Sequence, residues 1–359
     1  MRRYKNQYIF ASDLAGKRRS HHFRNLILIL LPVLVITAVV MNVTISRRVR
    51  MEELRLTLLN LPADLENFSI LHLSDLHGAR FGEEQKAVQS ALGNNRFSCV
   101  VMTGDMVGED GDVQPLLELI ALLPQDTPKY LIPGDMDGPV VEMKAHSSLS
   151  IYASWAEELQ AAGVKVLDLP ELITRDKGRL WLVPENLYAL DLETTRTTIC
   201  NQLAELNSRA TTLTPDDAAR IRALEYESER IDKLAEIKKE FLPTDIQVVL
   251  THTPLGRDYV ADMIAWSSKE DPFSLRYASL ILAGHYNGGQ WRLPFGGAVY
   301  VPELGWFPPD DQVKGLDYLE GIPQYISPGL GSDPHYEHQP GRLYNAPVIT
   351  RIVLSRRAV

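Results

Sequence analysis

A short apolar run that stops at a turn carrying Asp or His occurs five times in this chain. In the first such segment, residues 71–77, a strand-like run ends on Asp75 and His77, one residue apart. The other four segments are residues 100–105, 130–137, 248–252 and 280–287. Strands that end at one edge of a sheet bring such side chains together, and carboxylates with imidazoles bind metals. The recurrence therefore predicts an α/β protein with a metal site at a sheet edge.

A coarse alternation of strands and helices supports this fold class. It consists of strand 69–74, helix 83–93, strand 98–102, helix 113–122 and strand 129–132, with further strands at 246–250 and 278–283. Such alternation is typical of a sheet with helices packed on its faces. The main domain is predicted over residues 69–355, after a stalk and a leading strand at 46–68.

Residues 193–241 differ from the rest of this domain, because they are polar, lack Gly and are rich in helix-forming residues. Thr214 followed by Pro215 and two Asp residues is typical of a helix start. The segment predicts a helical hairpin inserted into the α/β domain. Two roles fit it: a solvated helix pair packed on the body, or a lid or self-association element.

The N-terminal region contains an almost continuous apolar run at residues 26–43, close to the shortest length that crosses a bilayer. Basic residues lie on both sides and are more numerous before the run. We therefore predict a cytoplasmic tail at 1–24, a single-pass membrane anchor at 25–45 and an extracytoplasmic catalytic domain. A cleaved signal peptide is the alternative, but the run is long for one and no small-residue cleavage pattern follows it.

Charge and cysteine content narrow the classes of partner. The net charge of −9 argues against a general nucleic-acid binder, which usually has a basic face. The two cysteines, Cys99 and Cys200, do not indicate a disulfide framework and so do not report the compartment. The sequence does not set the oligomeric state.

Five motifs in a fixed order carry a family resemblance. They are Asp75-Leu76-His77, Gly104-Asp105, Gly134-Asp135-Met136-Asp137, Thr251-His252-Thr253-Pro254 and Gly284-His285-Tyr286-Asn287-Gly288-Gly289-Gln290. Together they resemble the calcineurin-like metallophosphoesterase superfamily, and most closely its membrane-associated bacterial branch. The resemblance implies two mixed β-sheets packed as a sandwich with flanking helices, here with an added N-terminal transmembrane helix and the inserted hairpin. It also implies two bound metals and hydrolysis of phosphate esters.

The same resemblance implies roles for individual residues. Asp75 and His77 would bind the first metal, Asp105 would bridge both, and His252 and His285 would bind the second. The last motif also places Tyr286 and Gly288 where substrate would bind.

Three positions depart from the family pattern. Asp135 replaces an asparagine ligand of the second metal, and Asn287 replaces a histidine ligand of the first. Met136 replaces the histidine that usually contacts the phosphate, and a thioether cannot protonate a leaving group. The resulting oxygen-rich ligand set favours Mn²⁺ or Fe²⁺, while Zn²⁺ or Mg²⁺ also fit.

Loss of a general acid typically costs roughly 10²–10⁴-fold in rate. The sequence therefore predicts a slow enzyme, or one whose leaving group needs little protonation, such as the phosphate of a pyrophosphate bond. Asp137 is one candidate replacement acid, and His335 or His338 in the C-terminal loop is another.

The predicted function is thus a membrane-anchored, two-metal phosphohydrolase, either a phosphodiesterase or a pyrophosphatase, that uses a metal-bridging hydroxide. Its location would make a lipid-linked phosphate a suitable substrate. The alternative is a catalytically degenerate relative that binds metal or phosphate as a sensor or scaffold. Aromatic residues after the last motif would form either an apolar wall for substrate or the core of a C-terminal lobe; they are Tyr286, Trp291, Phe295, Trp306 and Phe307.

Overall fold

Two six-stranded mixed sheets and the helices that cover them form the body of the protein. The computed structural model describes residues 11–108, 111–143, 151–209, 213–333 and 341–356, with the side chains of the first helix from Phe23 onward. Its strands are β1 (Arg50–Thr57), β2 (Ser69–Leu73), β3 (Cys99–Thr103), β4 (Lys129–Ile132), β5 (Val164–Val166), β6 (Glu171–Arg175), β7 (Gly178–Pro184), β8 (Ile246–Leu250), β9 (Ala278–Ala283), β10 (Tyr300–Val301), β11 (Gly305–Trp306), β12 (Gly315–Leu319), β13 (Ile322–Ile326) and β14 (Val348–Ser355). Its helices are α1 (Ala11–Arg47), α2 (Lys86–Leu92), α3 (Gln114–Ala121), α4 (Ser154–Ala161), α5 (Leu192–Ser208), α6 (Pro215–Ile237) and α7 (Arg257–Trp266).

The strand order brings the metal-ligand segments to the centre of each sheet. The first sheet has the order β1-β14-β2-β3-β4-β5, and β2 to β5 are parallel. The second has the order β12-β13-β9-β8-β7-β6, and β7, β8, β9 and β13 are parallel. Parallel neighbours end at the same edge, so the turns after β2, β3 and β4 are adjacent, as are those after β8 and β9.

Side-chain alternation along the strands builds two layers of core. On β2, Ile70 packs between the two sheets, whereas Leu71 and Leu73 pack under the helices. Leu116 of α3 and Leu159 of α4 cover that outer face. Because both faces of the central strands are buried, their sequences are continuous apolar runs. The predicted sandwich of two mixed sheets with flanking helices is confirmed.

The helical hairpin predicted at 193–241 consists of α5 and α6. Thr214 and Asp217 form a capping box at the start of α6, as the sequence pattern predicts. Leu234 of α6 packs with Trp181 of β7, and Nη1 of Arg230 donates a hydrogen bond to the carbonyl of Asp168 at 2.8 Å. Of the two roles expected for the hairpin, these contacts support the solvated helix pair that packs on the body.

The apolar N-terminal run lies within α1. Its segment Phe23–Arg47 is long enough to cross a membrane, and its most apolar window has a mean hydropathy of 2.9 and no buried residue. A signal sequence has the same length and composition, so these properties do not distinguish the two. Near its C-terminal end, α1 contacts the body through Tyr344, whose backbone N–H donates to Oδ1 of Asn42 at 2.7 Å.

Candidate metal centre

The turns that follow β2, β3, β8 and β9 meet at one edge of the sandwich. Backbone hydrogen bonds connect them: the N–H of Asp75 donates to Gly104, that of His77 to Asp105, and that of Gly284 to His252, at 2.8–3.0 Å. Five residues in these turns have a left-handed backbone conformation, with φ between 47° and 77°; they are Asp75, His77, Asp105, His285 and Asn287. Strained backbone of this kind persists where the surrounding structure fixes it, and it is concentrated at functional sites.

One group of potential ligands contains Asp75, His77 and Asp105, whose ligand atoms lie within 4.8 Å of one another. Nε2 of His77 lies 3.9 Å from Oδ2 of Asp105. Asp75 is fully buried, and its Oδ1 accepts a hydrogen bond from the backbone N–H of His285 at 2.8 Å. Its Oδ2 has no hydrogen-bond partner among the described residues. A buried carboxylate oxygen without a donor is costly unless a cation neutralises it.

A second group contains Asp105, His252 and His285, again within 4.8 Å. Nε2 of His252 lies 3.1 Å from Oδ2 of Asp105 and 3.1 Å from Nδ1 of His285. Nδ1 of His252 lies 2.9 Å from the carbonyl of Thr103, so this nitrogen carries the proton and Nε2 is left to bind a metal. Asp105 therefore belongs to both groups, as a bridging ligand must.

Close backbone packing brings these turns together. A Cβ on Gly104 would lie 2.6 Å from the Cα of Gly134 and 2.6 Å from Nδ1 of His252. A Cβ on Gly134 would lie 2.3 Å from Oδ1 of Asp105. Only glycine allows Asp105 and His252 to approach as they do.

Asp135 lies at the solvent side of the second group. Its Oδ2 is 3.6 Å from Nδ1 of His285 and 4.0 Å from Nε2 of His252, and its side chain is 69% exposed. The adjacent Met136 is half-buried, and its backbone N–H donates to Oδ1 of Asp105 at 2.8 Å. The segment after β4 thus helps to hold the shared carboxylate.

Asp137 is buried, and both of its oxygens accept backbone hydrogen bonds. Oδ2 accepts from Asp105 and Gly134 at 2.8 Å, and Oδ1 accepts from Val107 at 2.7 Å. These contacts fit a residue that positions the turns. The catalytic role predicted for Asp137 stays a prediction. The other candidates for the replacement general acid, His335 and His338, lie outside the described residues.

Asn287 lies beside the first group, buried and with Nδ2 3.3 Å from Nε2 of His77. Its Oδ1 has no hydrogen-bond partner in the part of the chain that the structure describes. The backbone carbonyl of Asn287 accepts hydrogen bonds from the side chains of Arg342 at 3.0 Å and Asn345 at 2.7 Å. Sequence reasoning missed Arg342 and Asn345, because neither lies in a strand-and-turn motif.

The two predicted substrate-binding residues flank Asn287. The ring of Tyr286 lies 5.4 Å from that of His285, centroid to centroid, and both residues line an open cleft of about 510 Å³. Gly288 has φ of 62°, and a Cβ there would lie 3.0 Å from Oδ1 of Asn345. Gly288 therefore lets the Asn287 turn pack against Asn345.

The electrostatics of the buried groups favour a cation. Burial raises the pKa of Asp75. Burial alone would also raise the pKa of Asp105, but the hydrogen bond and charge of His252 outweigh it and lower that pKa. Burial alone would lower the pKa of His252, yet the hydrogen bond with Asp105 and the charges of Asp75 and Asp105 raise it to about 9. The carboxylates thus attract positive charge, which divalent ions would supply in place of a proton.

A two-sheet sandwich with shared Asp and His ligands at its edge defines the class of metal-dependent phosphoesterases. Residues 68–286 match the family model of the calcineurin-like phosphoesterases, and the chain belongs to this family. Among solved structures it is similar to the crystal structure of the phosphopantetheinyl hydrolase PptH from Mycobacterium tuberculosis. The two are 14% identical, with a TM-score of 0.37, over 80% of this chain and 96% of that chain. No curated protein matches the chain.

Proposed function

We propose that this protein is a membrane-anchored phosphohydrolase that binds two divalent metal ions and cleaves phosphodiesters or pyrophosphates. The observation that carries the proposal is the position of Asp105, which belongs to two ligand groups, each within 4.8 Å. A carboxylate shared by two ion sites is what a two-metal hydrolase requires.

The contacts in the two groups support a ligand set for each site. Asp75, His77 and Asn287 would hold the first ion, and the unpartnered Oδ2 of Asp75 and Oδ1 of Asn287 are the donors that such an ion would satisfy. His252, His285 and Asp135 would hold the second ion. With Asp105 bridging both ions, the ligands include three carboxylates and an amide. This set favours Mn²⁺ or Fe²⁺ over Zn²⁺, and Mg²⁺ is a fitting oxygen-binding alternative.

The chemistry divides between the ions and the chain. Two bound divalent ions would activate water and stabilise negative charge that develops on the phosphate. The chain keeps the ligands in place: the backbone carbonyl of Thr103 orients His252, and the carboxylate of Asp137 fixes the turn of Asp105. Tyr286 and Gly288 would border the substrate.

The leaving group limits the range of substrates. Met136 offers no proton, and both oxygens of Asp137 already accept backbone hydrogen bonds. Protonation would therefore come from solvent or from His335. We infer that leaving groups which need little protonation, such as phosphate, are favoured.

The properties of α1 support the proposed membrane anchor. None of the apolar side chains in its membrane-length segment is buried, and Arg47, Arg48 and Arg50 lie at and after its end. A larger number of basic residues precedes it, which supports a cytoplasmic N-terminus and an extracytoplasmic domain.

A metal titration tests the proposal. We would strip full-length protein of metal in detergent and add Mn²⁺, Fe²⁺, Mg²⁺ or Zn²⁺, while measuring bound metal and hydrolysis of an activated aryl phosphodiester. We expect two ions per chain and turnover, both lost in Asp105→Ala and both kept in Asp176→Ala, which changes an exposed carboxylate of the β6–β7 turn. Binding of no metal, or of a single ion, would contradict the two-metal site.

A second candidate function is a metal- or phosphate-binding sensor or scaffold without turnover. Met136 favours it, because the position lacks a proton donor. In the same titration, two bound ions without hydrolysis of either the aryl phosphodiester or inorganic pyrophosphate would support this alternative.

A further inference from the structure

Exposed aromatic side chains are concentrated beside the metal centre. Phe295 is fully exposed, Trp306 is 70% exposed, and Leu293 and Phe307 are also exposed. We name residues 291–307 the aromatic lobe. The sequence left two roles open for these residues, and their exposure rules out a buried core for Phe295, Trp306 and Phe307. The rings of Trp306 and Phe307 lie 6.2 Å apart. A patch of exposed apolar side chains marks a site of interaction with a protein or a membrane.

The lobe is an ordered structure that holds these side chains outward. β10 and β11 pair within it, and the rings of Tyr300 and Trp306 lie 5.0 Å apart. Nη1 of the buried Arg292 donates to the carbonyl of Gly288 at 3.0 Å, which ties the lobe to the last ligand turn. Phe295 lies at the tip, in a turn closed by two backbone hydrogen bonds: Gly296 donates to Leu293 at 3.0 Å, and Leu293 donates to Gly297 at 3.1 Å.

Backbone pairing connects the lobe to the apolar helix. The N–H of Arg292 donates to the carbonyl of Leu343 at 2.9 Å, and that of Leu343 donates to Gln290 at 3.0 Å. The next residue, Tyr344, contacts α1: its N–H donates to Oδ1 of Asn42, and its hydroxyl donates to the carbonyl of Ala38 at 3.1 Å. A single extended segment thus separates the lobe from α1.

The position of this contact along α1 sets the depth of the lobe. Ala38 lies five residues before the end of the apolar run at 43, which is about 7.5 Å along a helix that rises 1.5 Å per residue. If α1 spans the bilayer, the ring of Tyr344 lies between the levels of Asn42 and Ala38, at the boundary between headgroups and acyl chains. Tyrosine and tryptophan are enriched at this boundary. The exposed Arg47 and Arg48 then follow at the surface, where anionic lipids attract them.

We propose that the aromatic lobe is a second contact with the phospholipid bilayer, in which Phe295, Trp306 and Phe307 enter the boundary between headgroups and acyl chains. This inference rests on the proposed anchor. The cleft lined by His285, Trp291 and Tyr300 then opens at the membrane surface. The substrate class that fits is a phosphoester whose apolar part stays in the bilayer while its phosphate reaches the metal centre.

Fluorescent labels at chosen cysteines test the contact in the full-length protein. Cys200 is exposed and Cys99 is buried, so Cys200→Ser gives a background without an accessible thiol. We would place an environment-sensitive nitrobenzoxadiazole label at Phe295→Cys or Trp306→Cys and reconstitute the chain in phosphatidylcholine and phosphatidylglycerol liposomes. Quenching by doxyl-labelled lipid reports contact with the bilayer, and quenching by iodide reports contact with water.

Two control positions complete the design. Leu59→Cys places the label on a residue that is 98% exposed, just beyond the far end of β1, which at about 3.3 Å per residue carries it roughly 26 Å from the start of the strand. Leu34→Cys places the label in the middle of the apolar run of α1. It tests the anchor itself.

We expect labels at 295 and 306 to shift to shorter emission wavelengths and to be quenched by doxyl lipid, with the label at 59 quenched by iodide only. If the labels at 295 and 306 behave like that at 59 while the label at 34 is quenched by lipid, the lobe does not contact the bilayer and our inference is overturned. If doxyl lipid does not quench the label at 34 either, α1 does not span the bilayer and the proposed anchor is contradicted as well. The label at 34 therefore separates the two failures.

Discussion

Oδ2 of Asp137 accepts a hydrogen bond from the backbone N–H of Asp105 at 2.8 Å, which joins the turn after β4 to the turn after β3. Oδ1 of the same carboxylate accepts from Val107, so one buried side chain holds both ends of the Asp105 turn. The backbone that carries the shared carboxylate of Asp105 is thus held in place by a second, buried carboxylate.

Replacing Asp137 with alanine removes the acceptor for three backbone N–H groups, those of Asp105, Val107 and Gly134. We expect Asp137→Ala to lower the free energy of unfolding by on the order of 3 kcal/mol, since buried donors are left unpaired. Metal affinity should fall with it. Urea unfolding and metal titration measure the two effects.

The matched control is Asp135→Ala, because Asp135 is largely exposed. We expect this variant to lose affinity for the second ion and to unfold at nearly the wild-type urea concentration. Equal stability of the Asp137→Ala variant and the wild type would show that the three hydrogen bonds do not hold the turn.

Substitution of Asp75 is predicted to change the free energy of unfolding in opposite directions without and with bound metal. Its carboxylate is fully buried with an unpartnered Oδ2, and burial raises its pKa. In metal-free protein, Asp75→Asn should raise the free energy of unfolding by about 1–3 kcal/mol, because it removes a buried negative charge whose Oδ2 has no hydrogen-bond donor in the described part of the chain. With saturating Mn²⁺ the order should reverse, since an ion that binds only the folded state stabilises it, by about 2.7 kcal/mol at 100 times its Kd.

Thermal unfolding with chelator and with Mn²⁺ checks this reversal. Asp176→Asn, at an exposed turn position, should shift neither transition. A metal-free Asp75→Asn protein that is less stable than the wild type would contradict the view that this carboxylate is retained for a cation.

The recurring strand-and-turn segments predict much of the site, because their physical cause is local. Parallel strands end at a common edge, so Asp75, Asp105 and His252 can be expected near one another from their positions after apolar runs, and the structure brings them together. The same reasoning cannot find Arg342. Its contacts join segments 11 to 55 residues away through backbone carbonyls, which leave no mark on the sequence.

Apolar residues in loops are ambiguous for a related reason. Phe295 and Trp306 are of residue types that are common in a buried core. Only the path of the chain decides whether their side chains face the interior or the surface. The hairpin shows the opposite case. The Thr214 capping box is encoded within four residues, so the start of α6 is predictable from the sequence alone.

His72 supplies a prediction about pH. The residue is fully buried, its Nε2 lies 2.8 Å from Oγ1 of Thr103, and burial lowers its pKa to about 3. In the unfolded chain the pKa is about 6.5. Below that value the unfolded state takes up a proton that the folded state does not, so the stabilising contribution is present above pH 6.5 and is lost as the pH falls.

We therefore compare the wild type with His72→Gln, which cannot take up this proton. The difference in free energy of unfolding between the two should shrink by about 2 kcal/mol from pH 7 to pH 5, since 1.5 pH units correspond to that amount. Urea unfolding at each pH measures it. A difference that stays constant across this range would mean that His72 is protonated in the folded protein.

Arg342 supplies the last prediction. Its guanidinium is buried and donates to the carbonyls of Gly331 at 2.5 Å, of Asn287 at 3.0 Å, and of Pro328. Burial lowers its pKa to about 10, so it remains charged at neutral pH. The backbone N–H of Gly331 in turn donates to the carbonyl of Asp75 at 2.6 Å. One cation therefore orients the loops that carry two predicted ligands of the first ion.

We expect Arg342→Lys to weaken binding of the first ion by about 10–100-fold, the usual effect of losing a residue that orients a ligand. An ammonium cannot reproduce the planar fork of donors, so a lysine leaves some of these carbonyls unpaired. Metal titration monitored by bound Mn²⁺ measures the loss, and the second ion should bind with nearly unchanged affinity. Arg55→Lys, which changes an exposed arginine on β1, is the control and should bind both ions as the wild type does. If Arg342→Lys also binds both ions with wild-type affinity, then the position of Asn287 does not depend on the guanidinium.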